Sequence, residues 1–349
     1  RIPTLIFLLT IGIWLSMGIS KLKVDTNPDH YFPEDSRLRI ANTKISEAFG
    51  GSTQMHILVE GDIYDPELLR NIEMLTDHIK DAHEIVTKSY SIVDVIKKMN
   101  AGFNGGDPTY EVIPDDRELI SQYMFLYSIT GDGDDFDLML DDMEDPSFTQ
   151  VLLRLKEVQT ITIAEIVEDT DQYILANFYD DAPMEITGGA ALLGVLTRLV
   201  LQGQMVSLAY SIFIIFIIMT LVFRSITGGL LATLPMVASV AMMFGLMGYL
   251  DIPLNMTTSM LTGILVGVGV DYTVHFLWHL RDHIKYGDTL DEAIANTFLI
   301  SGKGILFNGL SVIVGFSALL FSVFVPVQIF GILVMASISF CLFGALATL

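Results

Sequence analysis

Runs of about twenty apolar residues follow one another through residues 205–349, and they constrain this chain more than any other feature. A helix needs about 20 such residues to cross the hydrocarbon core of a bilayer. Reading for them gives six spans: Ile2–Ser20, Val206–Phe223, Gly229–Leu250, Leu254–Leu277, Gly304–Phe324 and Gln328–Leu349. The first is long for the apolar core of a signal peptide and lacks a small-residue cleavage site, so a true span is expected. Position 1 is Arg rather than Met, which predicts a fragment or a processed form.

Charge divides the chain into two materials. Residues 21–204 carry 14 Lys and Arg against 35 Asp and Glu, a net charge of −21; everything else nets −1. An acidic soluble domain is therefore joined to a nearly uncharged membrane part. The acidity excludes nucleic acid as a partner, because phosphates are repelled. The single cysteine, Cys341, lies in an apolar run and has no partner for an internal disulfide. No Cys/His cluster has metal-ligand spacing, and no Gly-rich phosphate loop is present. Neither a metal nor another cofactor is expected, and ATP is not the expected energy source.

Orientation follows from the basic residues. Arg1, Arg224, Arg281, Lys285 and Lys303 fall at span ends that alternate onto one side, while the short loops 251–253 and 325–326 carry no Lys or Arg. The basic side is the cytoplasm by the positive-inside rule. Both termini are then cytoplasmic and residues 21–204 are extracytoplasmic. Asp288–Phe298 ("DTLDEAIANTF") reads as a short amphipathic cytoplasmic helix with Asp288 as its cap.

The acidic domain has a β/α rhythm. Strands are expected at 54–61, 84–92, 148–156 and 184–189, and helices at 65–82, 115–130 and 161–176. With 115–130 set aside, the order is β-α-β…β-α-β, a ferredoxin-like arrangement. The segment 102–108 reads as a loop and 131–137 ("GDGDDFD") as a turn. The acidic run 131–142 is dense enough to suggest a calcium loop but lacks the Asp-x-Asp-x-Asp-Gly…Glu spacing, so a solvated acidic loop is expected.

An aspartate, Asp271, sits inside the fourth span, where an ionised acid costs at least about 2.5–3.5 kcal/mol. Gly263, Gly267, Asp271, His275 and His279 recur every four residues and form one slowly rotating stripe. The fifth span has a second stripe: Gly304, Asn308, Ser311 and Gly315. His275 and Asn308 fall at similar depths, which predicts a packed polar layer between spans four and five. Asp271 reads as functional, with Tyr272, His275, Asn308 and Ser311 as candidate members of its network. Tyr272 also reads as an ordinary packing aromatic, His275 as a core histidine, Asn308 and Ser311 as helix glue, and His279 and His283 as interfacial residues.

The stretch "GILVGVGVDYTVHF" (263–276), followed by "SGKGILFNGLSVIVGFSALLFSVFVPVQIFGIL" (301–333), resembles the fourth to sixth spans of the resistance–nodulation–division (RND) superfamily, in its MMPL-type branch. Hopanoid exporters and the Patched/sterol-sensing proteins are relatives of that branch. Residues 221–259 are similar to spans two and three. The resemblance implies two pseudo-repeated halves, each with one span, a large porter domain and five more spans. An Asp-Tyr pair on the fourth span relays protons that drive export of hydrophobic molecules; Asp271 and Tyr272 match it. This chain departs in stopping after six spans, so the second half is either missing or supplied by another copy. Within one half, His275 is the nearest relay partner.

The expected fold is an α-helical membrane bundle of six transmembrane helices (1–20 and 205–349) plus an extracytoplasmic α+β porter-like domain (21–204). The expected function is proton-driven export of hydrophobic or amphipathic molecules, lipids foremost, across the cytoplasmic membrane, with a second RND half or a homodimer partner and no enzymatic activity. Two alternatives stay open: a sterol-sensing-like lipid-binding regulatory module, and a SecD/SecF-like protein-translocation accessory.

The charge asymmetry has a direct test. A cysteine at Asp132 reacts with an impermeant thiol reagent added to intact cells, and one at Lys285 does not. The opposite labelling pattern would overturn this orientation.

Overall fold

The computed structural model describes residues 2–130, 139–140, 146–178 and 183–347. The turn expected at 131–137, and with it most of the acidic run 131–142, lies outside the described residues. The chain divides into two compact units: Glu34–Leu196, and a second formed by Arg1–Pro33 with Thr197–Leu349. Elements are numbered in chain order, so the second unit opens with α1 (Ile2–Met17).

The Glu34–Leu196 unit contains α2 (Arg37–Phe49), β1 (Thr53–Glu60), α3 (Pro66–Ala82), β2 (Val86–Tyr90), α4 (Ile92–Phe103), α5 (Arg117–Thr130), β3 (Phe148–Leu155), α6 (Thr160–Asn177) and β4 (Met184–Thr187). The strands form one sheet in the order β2-β3-β1-β4, every neighbour antiparallel. Alternation sets the buried face. Met55, Ile57 and Val59 of β1 are fully buried, as are Val151, Leu153 and Leu155 of β3. The register places Met55 opposite Leu153 and Ile57 opposite Val151, so one face is continuously apolar. Onto it α3 lays Leu69, Ile72, Leu75 and Ile79, the inward side of a helical period. Asp65 begins α3 by accepting the Glu67 N–H at 2.9 Å, with Pro66 at the first position. The strands and helices expected from the sequence are present here. Two helices, α2 and α4, were not expected. α4 has a legible start, because the Asp94 carboxylate accepts the Ser91 N–H at 2.9 Å.

After β4 the chain turns at Gly188, whose φ of +88° suits glycine, and a Cβ there would stand 2.6 Å from the His56 ring. It enters α7 (Gly188–Phe223), which thus begins well before the Val206 start expected from hydropathy. Then come α8 (Ile226–Tyr249), α9 (Met256–Lys285), α10 (Leu290–Thr297), α11 (Lys303–Ser317) and α12 (Val325–Ala347). Among the described residues, five helical stretches are long and apolar enough to cross a membrane: Gly188–Phe223, Ile226–Tyr249, Met256–Lys285, Leu290–Phe321 and Val325–Leu342. α1, at 16 residues, is shorter than that. The loop helix expected at Asp288–Phe298 is α10, but Thr289 caps it, accepting the Glu292 N–H while the Glu292 carboxylate accepts the Thr289 N–H. Asp288 is occupied otherwise, accepting from Asn296 at 3.1 Å and lying 2.9 Å from His283 Nδ1. A π-helical turn, Phe298–Gly302, carries α10 into α11 without a break.

The bundle core joins Met236, Met243 and Met247 of α8, Leu261, Leu265, Tyr272 and Phe276 of α9, and Leu333, Val334, Ile338 and Leu342 of α12. α1 meets α8 backbone to backbone. A Cβ on Gly245 would lie 1.8 Å from the Leu15 carbonyl oxygen, and one on Gly248 1.9 Å from that of Gly18. Small residues permit such approach where no hydrophobic force draws helices together. The ring of Trp14 stacks on Tyr249 at 4.9 Å, and the Tyr249 hydroxyl donates to the Trp14 carbonyl at 3.0 Å. Beyond α1 the chain is pinned to the start of α9. The Asp25 N–H donates to the Leu254 carbonyl, the Leu254 N–H to that of Lys23, and buried Asp25 holds His30 at 2.7 Å. Burial and the Asp25 charge push the Tyr31 phenol above its ordinary pKa.

Two substitutions probe these cores separately. Ile72→Ala leaves a cavity under the sheet and lowers unfolding stability by about 2–5 kcal/mol, read from denaturant midpoints. Gly245→Val forces α1 off α8 and costs about 1–3 kcal/mol, read from detergent-solubilised melting curves. A Gly245→Val protein that melts with the wild type would refute the backbone contact.

Candidate functional site

The site rests on α9. Asn255 starts this helix in a capping box with Thr258, accepting the Thr258 N–H at 2.9 Å while the Thr258 hydroxyl accepts the Asn255 N–H at 2.8 Å. One side of α9 is the bundle core already described. The other carries the period-four stripe, now seen to start at Ser259 and to run through Gly263, Gly267, Asp271 and His275.

Asp271 and His275 stand one turn apart on that open side, with Oδ1 3.3 Å from Nε2 and side chains 55% and 64% exposed. The helix alone brings them together. Tyr272 is next in sequence but about 100° around the helix. It is 2% exposed, packed in the bundle interior, and its hydroxyl has no hydrogen-bond partner among the described residues. The Tyr272 hydroxyl therefore does not join Asp271 in one hydrogen-bonded network in this chain.

Asn308 and Ser311 of α11 are exposed too, and the Ser311 hydroxyl donates to its own helix at the Phe307 carbonyl, 2.8 Å away. The packed polar layer expected between spans four and five is not formed. A Cβ added at Gly263, Gly267, Gly304 or Gly315 would meet nothing within 4 Å. The reason lies in α12. α11 turns Ile305 and Gly309 inward, and Leu342 of α12 fills the space at Gly309, 2.5 Å from where a Cβ would be. α12 is packed against α8, α9 and α11 alike, so both polar stripes face outward.

One polar feature escaped the sequence reading. Gln204, Ser207 and Ser211 of α7, with Ser259, Thr262 and Gly263 of α9, line a cavity of about 150 Å³. Gln204 and Thr262 are buried and hydrogen-bonded to each other across the two helices. Hydropathy placed residue 204 at the edge of the soluble domain and so hid these groups. The signal was present in the spacing of 204, 207 and 211, which is one helix face. Among the described residues, no group of three or more His, Cys, Asp or Glu side chains is placed to hold a metal ion.

The inferred membrane protein MJ1562 of Methanocaldococcus jannaschii is 24% identical over 365 residues, covering 99% of this chain and 88% of its own length. Residues 150–349, from β3 to the last span, match the MMPL family. With apolar helices of spanning length, this makes the protein a multi-pass membrane protein. The chain belongs to the MMPL family, whose members are membrane transporters of the RND type rather than enzymes.

Proposed function

We propose that this protein exports hydrophobic or amphipathic molecules, lipids foremost, and that proton binding at Asp271 drives the cycle. The observation that carries this reading is the Asp271–His275 pair on the outward face of a membrane helix. An i,i+4 ion pair on a helix surface is worth about 0.3–0.5 kcal/mol. Holding an ionised acid at bilayer depth costs about 2.5–3.5 kcal/mol or more. The pair is several-fold too weak to hold a permanently charged carboxylate against lipid. A carboxyl group that takes up and releases a proton, beside an imidazole that does the same, resolves the imbalance. Such a pair favours pumping over pure lipid sensing.

The remaining parts of the reading follow from it. A second RND half or a second copy of this chain covers the two outward stripes and supplies further partners for Asp271, with Asn308 and Ser311 on its border. α1 extended by its 3-10 turn Gly18–Lys21 counts as a sixth span. The sheet order β2-β3-β1-β4 supports a ferredoxin-like porter domain at 21–204, outside the cytoplasmic membrane. Each proton moving inward releases about 2.3 kcal/mol per 100 mV of membrane potential, enough over one or two protons to bias a two-state rocking of the bundle.

The test uses proteoliposomes made with lipids of the native membrane and an acid exterior. Lipids transferred to acceptor vesicles are identified by mass spectrometry. Asp271→Asn inserts and melts at least as well as the wild type, because a costly charge is gone, yet transfers lipid at least tenfold more slowly. Tyr272→Phe loses only an unpaired buried hydroxyl and keeps or raises the melting temperature. Wild-type transfer by Asp271→Asn under a proton gradient would end the pump reading.

A further inference from the structure

We infer that the cavity between α7 and α9 is a hydrated antechamber that delivers protons to Asp271 from the extracytoplasmic side. This inference rests on the reading of Asp271 as a proton carrier and adds the route by which the proton arrives. The cavity has about 150 Å³ of space and is bordered by the amide of Gln204 and the hydroxyls of Ser207, Ser211, Ser259 and Thr262. A polar space needs only about 10–15 Å³ to hold one water molecule, so this one takes several. Lipid tails offer nothing to these groups, and water satisfies them.

The cavity is built rather than incidental. Gln204 is 9% and Thr262 4% exposed, and their mutual hydrogen bond ties α7 to α9 at membrane depth. Thr262 in turn donates to the Ser259 carbonyl at 2.6 Å, which fixes its orientation. Buried polar side chains in a membrane helix are costly and mark ion or proton pathways. Ser207 and Ser211 make no hydrogen bond among the described residues and remain available to water.

Position along α9 links the cavity to the acid. Ser259 and Gly263 border the cavity, and Gly267 and Asp271 follow on the same face at one-turn spacing. From Gly263 to Asp271 is about 12 Å along the axis. Gly267 keeps this outward face low between them, since an added Cβ there would touch nothing, and the second half or copy of the chain that covers the stripe closes the path over it. A chain of about four waters at ordinary hydrogen-bond spacing bridges that distance. A hydronium formed in the cavity passes its proton along the chain. The last water protonates a carboxylate oxygen of Asp271, which becomes the neutral acid, and the hydronium is left as water. Ser207, Ser211, Ser259, Thr262 and Gln204 act as positioning residues, holding the water and never accepting the charge.

Two measurements on the full chain in native-lipid vesicles decide the matter. The first reads hydration. Gly263→Cys and Val206→Cys lie at similar depth, each within two residues of the Gln204–Thr262 bond, but Val206 is exposed on the side of α7 away from the cavity. The charged reagent methanethiosulfonate ethylsulfonate labels Gly263→Cys at least tenfold faster than Val206→Cys, and buried Cys341 stays unlabelled as the internal control. Equal rates would mean a dry cavity and overturn the inference. The second reads delivery, by infrared spectroscopy of the protonated-carboxyl band that is lost in Asp271→Asn. On transfer to D2O its exchange slows at least tenfold in Gly263→Phe, which plugs the cavity, and less in Thr262→Val. Unchanged exchange in Gly263→Phe would refute the route while leaving Asp271 as a proton carrier. Absence of the band at every pH in the wild type would sink the proton-coupled reading itself, and the delivery role with it.

Discussion

In hydrocarbon no water is present to satisfy a backbone N–H or C=O, so each must be paired within its own segment. The described long elements of the Arg1–Pro33 and Thr197–Leu349 unit answer this demand. Its long elements are helices, and its irregular stretches are short. Where helices must hold one another without a hydrophobic force, they do so by contact of small residues. Gly18, Gly245 and Gly248 let α1 and the 3-10 turn after it touch α8 main chain to main chain. The methionines of α8 then fill what remains of the core with flexible, adaptable volume.

The same economy of backbone makes the side chains on α9 informative. Its inward face is mostly apolar, and its buried Thr258, Thr262 and Thr273 hydroxyls are satisfied by hydrogen bonds, so nothing about packing requires a carboxylate on the outward one. Asp271 and His275 stand together through helix geometry alone, and the glycines beside them keep the surface low. A face that combines low relief with ionisable groups is suited to meeting another protein surface and water, and poorly suited to lipid. Tyr272 belongs to the opposite wall, where its ring is a packing element beside Phe276.

Much of the fold was legible because its signals are local. β1 and β3 alternate strictly, and Asp65-Pro66 announces α3, so the sheet and its first covering helix could be read from residues alone. α2 was missed although Ser36 caps it and Leu38, Ala41, Ile45 and Phe49 recur at helical spacing; none of its residues is buried. The α10 cap was misassigned by one residue because Asp288 and Thr289 are both good caps. Only the structure reveals that Asp288 is engaged by Asn296 and His283. The Asp271 stripe was legible from spacing, and its pairing with His275 followed. The outward aim of both stripes was not, since it depends on α12 filling the space beside Gly309, a tertiary fact that no local pattern encodes. The cavity at Gln204 was hidden because a hydropathy window averages polar groups away when their neighbours are strongly apolar.

The π-helical turn at Phe298–Gly302 sets the compass bearing of everything after it. Such a turn spans one residue more than the α-helical turn it replaces, and one residue corresponds to about 100° of rotation. The angle at which α11 leaves α10 is therefore indexed by this single surplus residue. Tightening the turn to ordinary α geometry swings Asn308 and Ser311 about a quarter of the way around their helix and brings a different face outward. The outward stripe of α11 is in this sense a dial position, held by five residues, Phe298 to Gly302, at the border between the loop helix and the membrane.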